Sequence, residues 1–104
     1  MCRLLFAGIS IGVAIVAAQV DTGTISGLVR DPSGGGIPGV QVTVRDESTG
    51  LATTVSTNPT GLYVSPPLRA GTYVVEALAK GFEASAKRVQ LDVSQRFEVD
   101  FDLV

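Results

Sequence analysis

From Thr22 onward, apolar residues recur at every second position in short runs, and the runs are cut by Gly, Pro, Asn and Asp. A period of two marks a strand with one buried and one solvated face, whereas an amphipathic helix repeats every three to four residues. Phe97, Val99, Phe101 and Leu103 alternate with Glu98, Asp100 and Asp102 along Arg96 to Val104, giving one apolar and one acidic face. The same alternation predicts strands over Thr24 to Arg30, with Ile25 and Val29 inward, and over Val40 to Arg45, where Val40, Val42 and Val44 interleave with Gln41, Thr43 and Arg45. Leu51 to Thr57, rich in Thr and Val, predicts a more exposed strand, and Leu62 to Ser65 a short one at an edge. Tyr73 to Ala79 and Lys87 to Val93 supply two more, the latter leading through Ser94-Gln95 into the last strand.

The punctuation between these runs is turn chemistry. Asp31 to Gly39 (DPSGGGIPG) gathers residues that fix φ or supply positive φ, which predicts a mobile, turn-rich connection. Asn58-Pro59-Thr60-Gly61 predicts a turn, and Lys80-Gly81-Phe82 ends a strand. Pro66-Pro67 lacks the amide donors a central ladder needs, so the chain is expected to cross over there. The sum is an all-β fold, a Greek-key β-sandwich of about seven strands. Its predicted core is the inward valines with Ile25, Tyr63, Tyr73, Phe82, Phe97, Phe101 and Leu103.

The first residues follow another pattern. Arg3 precedes an apolar run from Leu4 to Val16, and small residues follow at Ala17 and Ala18, the layout of a secretory signal peptide. Cleavage is expected between Ala18 and Gln19, leaving residues 19–104 as the domain. A membrane anchor needs about 20 apolar residues, and this run ends earlier, at Gln19 and Asp21. The membrane is therefore met only through the signal peptide before cleavage. Cys2 precedes the apolar run instead of following it, which argues against a lipid-acceptor cysteine.

Removing residues 1–18 leaves 86 residues and takes away one of eight basic residues and none of ten acidic ones, so the net charge becomes −3. A mildly acidic chain offers no basic face for a phosphate backbone, and nucleic acid is not an expected partner. Residues 19–104 contain no Cys, His or Trp, which excludes disulfides, Cys or His metal sites and Cys/His nucleophile pairs within them.

Carboxylates are the remaining chemistry. Glu98, Asp100 and Asp102 share a strand face, but calcium takes six to eight oxygens and no oxygen-rich loop accompanies them, so a solvated face opposite Lys87 or Arg88 is the expectation. Asp31, Asp46 and Glu47 lie in or beside turns, where capping accounts for them better than acid/base work across a cleft. No catalytic residue, metal or cofactor is expected. On Tyr73 to Ala79, Val74 and Leu78 face outward beside Glu76, which makes Val74, Glu76 and Leu78 a candidate interaction surface.

The ordered series Gly23-x-Ile25-x-Gly27-x-Val29, Asp31-Pro32-Ser33-Gly34, Ile37-Pro38-Gly39-Val40, Gly61-Leu62-Tyr63, Gly71-Thr72-Tyr73 and Gly81-Phe82 resembles the carboxypeptidase regulatory-like domain. The resemblance covers Thr22 to the C-terminus and implies a transthyretin-like (prealbumin-like) sandwich without catalytic residues of its own. Within that family the chain is most similar to the N-terminal periplasmic domain ahead of the plug and barrel of Oar-like TonB-dependent outer-membrane receptors. This implies export to the periplasm or outer membrane, or secretion, and a plug or barrel protein as partner. The sequence stops at Val104 with no plug or barrel, so either a free-standing module or a piece of a longer receptor is expected, and no transport role is carried over. Related sandwiches also suggest polysaccharide as a partner, with Tyr63 and Tyr73 as the candidate sugar-stacking residues. Others are tied by a Lys–Asn crosslink, which this chain cannot build, since its one asparagine, Asn58, lies in a turn.

Overall fold

The computed structural model describes residues 22–92 and 96–104. Residues 1–21, which include the expected signal peptide, and Val93 to Gln95 lie outside the described residues. Among the described residues, nine strand segments form two facing sheets: β1 (Thr22–Arg30), β2 (Gln41–Asp46), β3 (Ala52–Ser56), β4 (Leu62–Val64), β5 (Leu68–Arg69), β6 (Gly71–Leu78), β7 (Ser85–Leu91), β8 (Arg96–Glu98) and β9 (Phe101–Asp102). One sheet is wholly antiparallel, in the order β3-β2-β6-β7. The other is centred on β1. Its one edge carries β4 and β5 antiparallel, and its other edge carries β8 and β9 parallel. β4 with β5, and β8 with β9, are each the two halves of one interrupted strand, which accounts for the predicted count of about seven.

The alternation predicted from sequence is what fills the space between the sheets. Ile25 and Val29 from β1, Val42 and Val44 from β2, Tyr73, Val75 and Ala77 from β6, Val89 and Leu91 from β7, and Phe101 from β9 are buried together with Val40, Tyr63, Val99 and Leu103. Fully burying a Val, Leu, Ile or Phe side chain stabilises by about 1.5–3 kcal/mol, so this shared set, with no disulfide in residues 19–104, is the main source of cohesion. Phe82 and Phe97, predicted in the core, are half-buried at its margin.

Three expectations are corrected. First, the chain does not cross over at Pro66-Pro67: it stays on the edge of β1 through Arg69 and crosses afterwards. Both prolines are exposed and fall between the strand segments β4 and β5. The main-chain N–H of Ser65 donates to Ile25 O at 2.8 Å, its Oγ accepts the Ile25 N–H at 2.9 Å, and that hydroxyl donates onward to Pro66 O. The register between β1 and its edge slips by one residue across this point.

Second, the last strand is not a continuous ladder. β8 and β9 keep one register against β1, but between them a ladder bond has exchanged partners. In a parallel pair the Val99 N–H would donate to Ser26 O and the Leu28 N–H to Val99 O. The first bond forms at 2.8 Å; the Leu28 N–H instead reaches Asp100 Oδ1 at 2.8 Å, and Val99 O accepts the Tyr63 hydroxyl at 2.5 Å. Gly27 makes room for this arrangement: a Cβ there would lie 1.8 Å from Val99 O.

Third, the segment Asp31 to Gly39 is tied down, not loose. The Ile37 N–H donates to Val29 O, Gly39 N–H to Thr57 O, and the buried Thr57 hydroxyl accepts the Val40 N–H while donating to Ile37 O at 2.6 Å. Gly36 is required by proximity, since a Cβ there would meet Thr60 O at 2.0 Å. Its lack of a side chain lets two loops touch, and hydrogen bonds then fix both.

Candidate functional site

Among the described residues one motif recurs at three turns. The Asp31 Oδ1 accepts the Ser33 N–H, the Ser33 hydroxyl and the Gly35 N–H; Asp46 Oδ1 accepts the Ser48 N–H, its hydroxyl and, at 3.4 Å, the Thr49 N–H; Asn58 Oδ1 accepts the Thr60 N–H, its hydroxyl and the Leu62 N–H. Each is an Asx turn in which a short side chain stands in for a missing main-chain acceptor. The hydroxyls of Ser33 and Ser48, foremost, hold the Asp31 and Asp46 carboxyls below the usual carboxylate range. Turn capping is therefore what Asp31 and Asp46 do. Glu47 does something else: it forms a two-pronged pair with Arg88 of β7, at 2.7 and 2.8 Å, and that guanidinium lowers its pKa.

The acidic face of the last strand is partly engaged by the protein itself. Asp100 takes the Leu28 amide, Asp102 pairs with Arg30 at 2.9 Å, and Glu98 is exposed. Lys87, expected opposite the carboxylates, donates to the main-chain oxygen of Asp100 at 2.5 Å and lies 5.3 Å from the Phe101 ring centroid. Arg88 is turned to Glu47. Among the described residues no three Asp, Glu, His or Cys side chains converge as a metal site would require.

The two tyrosines are not a stacking platform. Tyr63 is 2% exposed and Tyr73 4%, and the Tyr73 hydroxyl donates to Arg69 O at 2.7 Å, as Tyr63 does to Val99 O. Burial pushes both phenols above their ordinary pKa. A sugar ring needs an exposed aromatic face, and both faces are spent inside the sandwich.

Val74, Glu76 and Leu78 do share the outer face of the antiparallel sheet, but they do not form an apolar patch. Val74 stands between Arg45 and Arg88 in register, Glu76 between Thr43 and Ala86, and both are half-buried; Leu78 is 43% exposed beside Gln41. Leu78 also borders a shallow depression of about 340 Å³ with Gly39, Gln41, Ala79 and Lys80. A cleft of about 210 Å³ opens between the sheets near Val44, Leu51, Leu68 and Tyr73. No pair of carboxylates faces the other across either space.

The more apolar outer surface is on the β1 sheet, and sequence reasoning missed it. Leu62 (47% exposed) and Val64 (56%) project outward from β4, with Leu62 opposite the half-buried Leu28 and Val64 opposite Ser26. Asp100 and Glu98 flank the same rows on the far side of β1. The signal was present: once Tyr63 is placed inward, its neighbours Leu62 and Val64 must point out.

A search of the curated proteins found no match. Among solved structures, the Bacillus anthracis TIE protein matches with a TM-score of 0.69 and 16% identity, over 80% of this chain and 16% of that one. GBS52, the minor pilin of Streptococcus agalactiae, matches at 0.67 and 17% identity, over 80% of this chain and 44% of that one. Catechol 1,2-dioxygenase of Acinetobacter radioresistens matches at 0.65 and 14% identity, over 83% of this chain and 52% of that one. At these identities the likeness is one of fold, and the chain spans about half or less of each protein. The carboxypeptidase regulatory-like domain profile matches residues 24–104, from the third residue of β1 to the end of the chain, and the protein belongs to that family.

Proposed function

We propose that this protein is a non-catalytic, exported β-sandwich that serves as a spacer or docking module, of the kind set ahead of a TonB-dependent plug and barrel. The observation that carries the non-catalytic part is the employment of its polar side chains. Asp31, Asp46 and Asn58 cap turns, Asp100, Thr57 and Ser65 replace main-chain partners, and Tyr63 and Tyr73 tie strands together. Groups so committed are poor donors of protons or nucleophiles to a substrate. The docking part rests on Leu28, Leu62 and Val64, an apolar strip bordered by Glu98 and Asp100, which suits a partner surface that is apolar with a basic rim. Export rests on the apolar segment ahead of Gln19.

The test has two arms. The full chain made in a Gram-negative host should appear in the periplasmic fraction with Gln19 at its N-terminus; a full-length chain retained in the cytoplasm would overturn export. In calorimetry against a TonB-dependent receptor stripped of its own N-terminal domain, the protein should bind, and the double variant Leu62→Ser, Val64→Ser should fold without binding. Binding to a polysaccharide panel with silence toward the receptor would overturn docking in favour of a carbohydrate-binding module.

A further inference from the structure

The first and last strands of the fold are neighbours, and they run parallel. β1 enters at Thr22 beside the end where Arg96 begins β8, and both leave at the opposite end, where Arg30 stands beside Asp102. With about 3.3 Å per residue, the entry to β1 and the exit from β9 lie about 26 Å apart along the strand axis. A pull between those two points tries to slide β1 lengthwise past β8 and β9, and also past β4 and β5 on its other edge. In that geometry the bonds between the strands are strained together. A pull at one end of a strand, away from its neighbour, breaks them one after another.

The bonds that would share the load are unusually varied. Val99 N–H to Ser26 O and Leu103 N–H to Arg30 O are main-chain bonds; Leu28 N–H to Asp100 Oδ1 is a charge-assisted one; Arg30 and Asp102 add an ion pair. At the centre, Tyr63 reaches under Gly27 to Val99 O and so binds the last strand to β4 as well as to β1. Sliding by one residue would break the Tyr63 and Asp100 bonds at once and would drive Val99 O out of the space that Gly27 leaves open.

We propose that the parallel clasp of β1 with β8 and β9 makes this sandwich a load-bearing link, resistant to tension applied between the chain entering β1 and the chain leaving β9. This deepens the spacer half of the proposed function by giving the spacer a direction of strength, and it is independent of export and docking.

The experiment is single-molecule force spectroscopy on the full chain. In one attachment the handles are at the two chain ends; in the other they are at the C-terminus and at a Lys80→Cys site. Lys80 is exposed in the β6–β7 turn, near the exit end, where the Glu83 N–H donates to Val104 O. Pulling there peels β9 away first. Forced unfolding reports the unfolding barrier along the pulled direction, so the end-to-end peak should exceed the peeling peak by about twofold or more. Asp100→Ala should lower the end-to-end peak and leave the peeling peak where it was. Equal peaks in the two attachments, or an equal loss in both on Asp100→Ala, would overturn the proposal, while the export and receptor-binding arms would be unaffected.

Discussion

In the sheet β3-β2-β6-β7, main-chain ladders run in unbroken register from strand to strand, with Gln41 to Arg45 paired on both sides and Tyr73 to Ala77 paired on both sides. Across the core, β1 is bordered by two strands that both break, and at each break a side chain takes over a main-chain bond: Ser65 on one edge, Asp100 and Tyr63 on the other. The first sheet should tolerate change, because its cohesion is spread along repeated, equivalent bonds. The second concentrates cohesion in a few residues that no repeat can replace.

Glycine substitution should separate the two most sharply. Gly27→Ala places a Cβ against Val99 O, a main-chain atom that cannot rotate away, so the last strand must leave β1. The loss is expected to be about 3 kcal/mol or more, read as a large drop in urea midpoint or as failure to fold. Gly71 in β6 meets nothing nearer than Tyr73 Cε2 at 3.9 Å and does not have positive φ. Gly71→Ala should be neutral or stabilise by up to about 1 kcal/mol through the unfolded chain. Equal losses at the two positions would break the contrast.

Hydroxyl removal gives a smaller contrast of the same sign. Ser65→Ala leaves the Ile25 N–H without its buried acceptor and is expected to cost about 1–3 kcal/mol. Thr43→Ala on the outer face of the regular sheet loses only the exposed Thr43–Thr54 hydroxyl bond at 3.1 Å, about 0.5 kcal/mol. Between the tyrosines, Tyr63→Phe strands a buried carbonyl at the partner exchange, whereas Tyr73→Phe strands a part-buried one. Tyr63→Phe should cost about 1–2 kcal/mol and Tyr73→Phe about half of that, measured by denaturant melts at neutral pH.

The same division governs what the sequence made legible. Alternation placed β2, β6 and β7 within one or two residues and named nearly all of the buried set, because a half-buried strand in a regular ladder has no other way to satisfy both faces. It also put Val74 and Leu78 on an outer face. It did not reveal that β8 and β9 are interrupted, since Phe97, Val99, Phe101 and Leu103 alternate straight through the exchange: side-chain facing survives when only a hydrogen bond changes partner. Pro66-Pro67 excludes a central ladder and so reads as a crossover, but it does not reveal that the edge strand resumes past them at Leu68. Glycine content made Asp31 to Gly39 look loose, because composition records freedom in the unfolded chain and not the contact of Gly36 with Thr60. The sequence allows Tyr63 and Tyr73 as either core or sugar-stacking residues, and their hydroxyl partners, 36 and 4 residues away, decide for the core.

The smallest effect is a dependence on pH, and it is sharpened by a control already built into the chain. Hydrogen bonds lower the pKa of Asp31 and Asp46 below the ordinary 3.8, and Arg88 lowers that of Glu47 below 4.5. Between each ordinary value and the lower folded one, the unfolded chain binds more protons than the folded chain, so acidification favours unfolding. The stabilisation is present above about pH 4.5 and is lost as pH falls through the folded values, modestly, because all three groups face solvent. Asn58 makes the same turn as the two aspartates with a side chain that does not titrate. Asp31→Asn and Asp46→Asn should therefore keep their turns and flatten the acid limb of the stability curve, and Glu47→Gln should remove the remainder together with its sensitivity to salt. An acid limb unchanged in the triple variant would show that none of these three carboxylates sets it, and the contrast between the two titrating turns and their Asn58 counterpart would fall.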